Sequence, residues 1–489
     1  MRQSFLFGAI FLTGCQILSG LSDYEASEED PPQVTAGPFG KRFGGSGIDG
    51  VAGAAIATDG SIVIGGTMAN VDFGSGQPLI TYGLYDPFLA KFDGLGNHLA
   101  SVSFGTPDGD LMLDMAMGPD GRIAVVGLFR STLSFGGGIE IEGTTEPSTE
   151  EELRLSVFVA SFDASLNTEW AVALSTFESL VSVHVDFDPA GNLVVAGTHD
   201  GTVDFMGEPI TSDSDQDVFV LGLSAEGEKR WLKHYPAVNT VALPEGALPS
   251  VADVAIDGSG NAHVLISQYW GIAFDTATGT ADPAGDIALV KLEPSGNESW
   301  VRFYGGPSLQ VPTALAIDLA DRPLIAGVFL TGYTAGDATF PSSGPLHADV
   351  FVSRFNTSGE HLTTTIFGGV PITAEGDASF VTSLEAASDG SFLATGALYD
   401  QLTIGDTTLQ NTSSVTPNLD VLLVRLDAAL APSLAKRYGD ANPDSGIWAG
   451  LHPSGNLVAT GTFREQLRFA DYDFTSAGET DIFLVHYDP

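Results

Sequence analysis

Three observations predict an all-β chain folded as a single seven-bladed β-propeller of four-stranded blades. One phrase recurs seven times, each recurrence carries four short β-rich runs, and the chain ends are permuted relative to that repeat. The phrase reads Asn192-Leu193-Val194-Val195-Ala196-Gly197-Thr198 in one copy and Asn456-Leu457-Val458-Ala459-Thr460-Gly461-Thr462 in another. Counted on its glycine, the copies fall at Gly66, Gly127, Gly197, Ser267, Gly327, Gly396 and Gly461. A period of about 60–70 residues belongs to stacked or circular units rather than to independent domains.

The fifth copy shows the unit. Thr313–Asp318 forms strand a and Pro323–Phe329 strand b; Asp349–Phe355 follows as strand c and His361–Phe367 as strand d, ending at Gly368-Gly369. The a–b turns carry Asp59-Gly60, Asp120-Gly121, Gly191-Asn192, Gly260-Asn261, Asp389-Gly390 and Gly455-Asn456, dipeptides that tolerate the positive φ of tight hairpins. Strands a and b are almost continuously apolar, so both faces of each sheet must be covered. Radial packing of like sheets supplies a neighbour on each side. The last copy stops after strand c at Asp481–Tyr487, while an orphan d-type strand, Gly40-Lys41-Arg42-Phe43-Gly44-Gly45, precedes the first copy. That strand is expected to complete the seventh blade and latch the ring.

The N-terminus reads as an address. Met1-Arg2-Gln3 is a short positive region, Phe5–Leu12 a brief apolar run, and Leu12-Thr13-Gly14-Cys15 resembles the bacterial lipobox. Residues 1–14 are therefore expected to be a lipoprotein signal peptide, Cys15 the acylated residue, and 15–37 an acidic tether, leaving 38–489 for the propeller. An acyl chain would hold the protein on a membrane at about 0.8 kcal/mol per buried CH₂. Gln16 after the cysteine, rather than Asp, suggests outer-membrane sorting by analogy with other bacterial lipoproteins. Cys15 is the single cysteine, which excludes an intramolecular disulfide and a thiolate metal site. The net charge of −43 disfavours nucleic acid and anionic headgroups as partners and attracts cations.

The Phe-Gly-Gly endings, the Asp in the loop that follows, the Asp-x-x-Gly-Asn turns and the Asp-x-Phe-Val strands resemble the seven-bladed SBBP-repeat proteins of bacterial envelopes. The resemblance covers residues 38–489; blade 2 departs with Ser156 for the strand-c Asp, and blade 3 is preceded by Leu174-Ser175-Thr176 instead of the glycine pair. It implies a propeller and an extracytoplasmic location, and it implies no catalytic residue.

Two sets of acids recur. Asp86, Asp217, Asp286, Asp349, Asp420 and Asp481 open strand c, where a carboxylate is expected to accept backbone N–H groups at a blade corner. Asp49, Asp110, Asp377 and Asp444 precede strand a, with Glu178 loosely equivalent and Gln310 in the fifth copy. Lying before the innermost strand, this second set could ring the channel mouth and hold a hard cation such as Ca²⁺. Asp213-Ser214-Asp215-Gln216-Asp217 imitates the start of a calcium loop, but Val218 stands where its glycine belongs. No zincin helix, nucleophile elbow or phosphate loop is present. His184 and His263 read as satisfied strand residues, and Trp170, Trp231 and Trp300 as packing between blades.

Alternating hairpins place the short a–b and c–d turns on one face and the variable b–c and d–a connections on the other, where recognition normally sits. The sequence thus favours a monomeric, non-catalytic envelope lipoprotein binding a protein or polysaccharide on its acidic loop face. The competing readings are an envelope hydrolase or lyase using channel-mouth carboxylates and a cation-stabilised surface spacer.

Overall fold

Each copy of the repeated phrase forms strand b of an antiparallel sheet paired in the order a-b-c-d; six of these sheets are four-stranded, and that of blade 5 is extended to six by the hairpin Gln401–Ile404 and Thr407–Gln410 from blade 6. A computed structural model describes residues 36–144, 155–177, 182–212, 216–238, 250–268, 271–279, 286–345, 347–371, 378–411 and 419–488. Cys15, Asp377 and the acidic stretches 146–152 and 213–215 lie outside them. Strand a of blades 1 to 7 spans Gly50–Ile56, Leu111–Met117, Val183–Phe187, Ser250–Ile256, Gln310–Ile317, Phe380–Ala386 and Asp444–Leu451. Each packs against strand a of the next blade, and that of blade 7 packs against that of blade 1. The chain is a seven-bladed β-propeller.

The ring closes as expected. Phe39–Phe43 pairs antiparallel with Asp481–Tyr487, so the N-terminal strand is strand d of blade 7. Phe43 then packs against Phe92 and Phe73 of blade 1, with ring centroids 5.1 and 5.3 Å away.

The glycine of the phrase serves two neighbours at once. Strand a bulges opposite it, between Val51 and Gly53, Met112 and Asp114, or Gly446 and Trp448. A Cβ on Gly66, Gly127 or Gly461 would lie 2.0 Å from the strand-a carbonyl oxygen of Gly50, Leu111 or Ser445. The same Cβ on Gly127 or Gly327 would also meet the strand-c ring of Phe158 or Phe351 at 2.5 or 2.7 Å. Blade 4 corrects the sequence count. The register puts Ile266, not Ser267, in the glycine position, and opposite it stands Ala288 where five other blades have phenylalanine. Large and small have changed places, which preserves the filled volume.

Ile266→Gly alone is expected to cost about 2–5 kcal/mol through a cavity, and Ala288→Phe alone about 1–3 kcal/mol through overpacking. The double variant should recover at least about 1 kcal/mol relative to their sum. Denaturant unfolding of the four proteins measures this; strict additivity would refute the exchange.

The b–c connections are more ordered than their variable lengths suggest. Thr132–Ser134 pairs with Glu140–Glu142, Thr202–Asp204 with Pro209–Thr211, Gln401–Ile404 with Thr407–Gln410, and Gln466–Phe469 with Tyr472–Thr475. Entry into these ribbons uses a left-handed residue just after strand b, such as Ser131, Thr331, Asp400 or Glu465 (φ 55°, 59°, 49° and 53°). The first ribbon strand and the residue that follows it bury two side chains spaced by one: Leu133 and Phe135, Val203 and Phe205, and, within the strand, Leu467 and Phe469. In blades 2 and 7 these cover the aromatic that ends strand d of the preceding blade, with centroid distances of 4.8 Å for Phe104–Phe135 and 3.9 Å for Tyr438–Phe469; ahead of blade 3 the residue there is Leu174. The ribbons thereby shield outer strand edges that would otherwise pair with other chains.

Candidate functional site

The strand-c aspartates stand where strand c enters its blade. Asp86, Asp217, Asp349, Asp420 and Asp481 are buried, and Asp286 is half-buried in the same place. Asp349 Oδ1 accepts the Gly369 N–H and the Ser343 hydroxyl, both at 2.7 Å. Asp217 Oδ1 accepts the Ala237 N–H at 2.8 Å, and Asp481 Oδ2 accepts the Ala477 N–H at 2.9 Å. Asp420 and Asp481 also pair with Arg437 and Arg42 of strand d. These bonds tie the b–c connection to strand d or to the turn that follows it. They also explain the glycine after the strand-d aromatic. A Cβ on Gly44, Gly105, Gly305 or Gly439 would lie 2.2, 2.1, 1.8 or 2.3 Å from the carboxylate of Asp481, Asp86, Asp286 or Asp420. Where blade 2 has Ser156 in place of the aspartate, Ser175 replaces the glycine.

The acids before strand a occupy the adjoining seams. Asp49 accepts the N–H groups of Gly45 and Ala69, both at 2.7 Å. Asp110 accepts the Thr106 N–H at 2.5 Å, and Asp444 that of Asp440 at 3.4 Å. Each faces the strand-c aspartate of the preceding blade: Asp49 Asp481, Asp110 Asp86, and Asp444 Asp420. The structure does not gather Asp49, Asp110 and Asp444 into one cation cage; they sit one to a seam, clamping backbone donors. Burial, with the charge of Asp86, pushes the Asp110 carboxyl up to about 6. Burial, with Asp440 and Asp420 adding, takes Asp444 to about 9. Gln310, their counterpart in blade 5, donates to the Gly332 carbonyl at 3.0 Å and carries no charge.

The inner strands bear a second line of acids. Asp114, Asp186 and Asp253 accept the N–H groups of Val185, Ile256 and Leu315 at 3.0, 2.8 and 2.8 Å, each from strand a of the next blade. His184 Nδ1 lies 3.4 Å from Asp114 Oδ2. Burial opposes protonation of His184, yet Asp114 and Asp253 hold its pKa above the ordinary value. Burial raises Asp253 to about 7, with His184 opposing and Asp114 reinforcing the rise. His263 is buried beside Asp257 at 3.3 Å. These bonds brace the inner ring while grouping an imidazole with two carboxyls.

On the face of short turns, the indole N–H groups of Trp170, Trp231 and Trp300 donate to the carbonyls of Ala225, Pro294 and Thr357 in the next blade's c–d turn, at 2.9, 3.1 and 3.2 Å. A shallow depression of about 350 Å³ beside Trp170 is lined by Arg122, Glu169, Ala225 and Glu226.

Sequence spacing did not flag His199 and His234. Strand b contributes the first and strand d the second, and they meet only because both strands flank Asp217 on strand c. Burial and the neighbouring His234 push the His199 imidazole down to about 4. The clue available in the sequence was two histidines at positions where no other copy carries one: five of the six strand-b counterparts are apolar and one is Gln268, and the strand-d counterparts include Ser103, Arg437 and Arg42.

Fold and repeat geometry define a propeller repeat protein. The model of the WD domain, G-beta repeat, matches residues 174–204, from the end of blade 2 to the ribbon strand that follows strand b of blade 3. Among solved structures the chain is similar to Sqt1 from Chaetomium thermophilum, with 12% identity, coverage of 91% of this chain and 98% of that one, and a TM-score of 0.40. It is also similar to a Lactobacillus plantarum protein (12% identity, 86% and 98% coverage, TM-score 0.42). The β-propeller domain of the Trilobed protease from Pyrococcus furiosus is a third (10% identity, 88% and 97% coverage, TM-score 0.39). No curated protein matches the chain.

Proposed function

We propose that the chain is a non-catalytic binding or scaffold module of the bacterial envelope, of the SBBP-repeat type. In this reading it is held at the outer membrane by an acyl chain on Cys15 and engages a protein partner through its b–c face. The observation that carries the reading is the b–c loop of blade 1. There Ile80, Tyr82, Leu84 and Tyr85 are 67%, 51%, 76% and 39% exposed, and Ile48 of the d–a connection into the same blade is 58% exposed. Clustered apolar side chains on a chain of net charge −43 mark a contact surface. Tyrosines beside aliphatic anchors suit a protein hot spot better than a sugar, because Ile80 and Leu84 offer no hydrogen bonds.

Affinity capture with the lipidated full-length chain from envelope extract is expected to retain a partner that the Ile80→Asp/Leu84→Asp variant loses by at least about tenfold. Equal retention by both proteins would remove the partner from this face. In the same cells, Cys15→Ser should abolish incorporation of labelled fatty acid. A hydrolase or lyase is the second reading, favoured by the Asp114–His184–Asp253 grouping. Asp253→Asn should leave partner capture unchanged; loss of a substrate-converting activity in that variant would favour the enzyme.

A further inference from the structure

We propose that blade 3 carries a transition-metal site, best matched to Zn²⁺, built from His199, Asp217 and His234. His199 closes strand b, Asp217 opens strand c directly opposite it, and His234 lies beside them near the end of strand d. One ligand atom from each residue lies within 4.8 Å of the other two. His234 Nε2 is 2.7 Å from Asp217 Oδ2, and the two imidazole centroids are 5.4 Å apart. Zinc bonds of about 2.0–2.2 Å place tetrahedral ligand atoms roughly 3.3 Å apart. The ligand atoms bracket that spacing, from 2.7 Å between His234 Nε2 and Asp217 Oδ2 to at most 4.8 Å across the set.

A second observation points to a ligand. His199 is fully buried, and neither ring nitrogen makes a hydrogen bond of normal geometry among the described residues. Such a group loses its water and gains nothing unless an ion or donor meets it. The Ala237 N–H on Asp217 Oδ1 steadies the carboxylate, as outer partners do in metal sites.

The other blades act as internal controls. Opposite the residue that opens strand c, they carry Met68, Phe129, Gln268, Phe329, Leu398 and Phe463. In the strand-d position of His234, blades 6 and 7 use Arg437 and Arg42, which already pair with the aspartate. Holding the corner therefore needs no histidine, and blade 3 has one at both positions. Two imidazoles and one carboxylate select zinc and its neighbours over the oxygen-seeking Ca²⁺ and Mg²⁺.

The test uses the full chain stripped with chelator and titrated with zinc chloride, followed by calorimetry and thermal melting. One Zn²⁺ per chain and a rise in melting temperature of at least about 3 °C are expected, with no rise from Ca²⁺. Co²⁺ should give the visible bands of a four- or five-coordinate ion. His199→Phe and His234→Arg copy residues that other blades fold with, so both variants should keep the metal-free melting temperature. Each should weaken Zn²⁺ binding at least about 100-fold and abolish the Co²⁺ bands. Absence of stoichiometric Zn²⁺ binding, or equal binding by both variants, would overturn the site.

Discussion

Deleting residues 1–45 is expected to lower the melting temperature by about 10 °C or more and to produce edge-paired oligomers, whereas deleting residues 1–37 should leave the fold unchanged. The longer deletion removes strand d of blade 7 and with it the closure of the ring. Phe39 and Phe43 are 7% and 5% exposed, and burying each contributes about 1.5–3 kcal/mol. Loss of Arg42 also removes its ion pair with Asp481 across the same edge. The two rings alone reach about 3–6 kcal/mol, a large share of the whole stability of a typical domain at about 5–15 kcal/mol. The exposed strand Asp481–Tyr487 would also offer unpaired backbone groups to other chains. Calorimetry and light scattering on the two truncations decide the matter. A monomeric 1–45 deletion with an unchanged melting temperature would refute the latch as the source of closure energy.

Asp444→Asn is expected to stabilise the protein at pH 8.5 by about 1–3 kcal/mol and to flatten its loss of stability between pH 7 and 9. The folded carboxyl keeps its proton up to about pH 9, whereas an unfolded aspartate loses it near 3.8. Its stability contribution is complete below the unfolded pKa and disappears as pH rises through the folded one. Each pKa unit is worth about 1.4 kcal/mol, so even a fraction of this displacement, after local relaxation, is measurable. Asp253, raised to about 7, acts in the same direction. Below pH 6.5 the imidazoles of His199, His452 and His486, depressed chiefly by burial, act oppositely, so the window must lie above them. Asparagine reproduces the neutral state, as Gln310 does in blade 5. Denaturant unfolding across this range tests it; a variant that is neutral or destabilised at pH 8.5 would show that Asp444 is ionised in the fold.

Much of the architecture was legible because its causes are local and repeated. The a–b hairpin dipeptides mark strand ends, and Gly60, Gly121, Gly191, Gly260, Gly390 and Gly455 all adopt positive φ. The ribbons were also written in the sequence, as Leu133-Ser134-Phe135 and Val203-Asp204-Phe205, but they sit inside connections of uneven length that hide the period. Ser267 drew the count away from Ile266 because a small residue was expected where blade 4 had moved the bulk to the other strand. The acids before strand a were visible as residues, but not as seam clamps. Their partners, such as Ala69 for Asp49, lie beyond a whole hairpin.

The sequence by itself determined the number of blades, the strand order and the closing strand, since turn chemistry and apolar runs act over a few residues and recur seven times. Only the tertiary structure decided what each polar side chain meets. Strands b and d reach Asp217 from opposite sides and bring His199 and His234 together, and successive blades place the Asp253 carboxyl against the Leu315 N–H. A carboxylate or imidazole takes its role from donors and charges a few ångströms away, and in this ring those neighbours come from other strands and other blades.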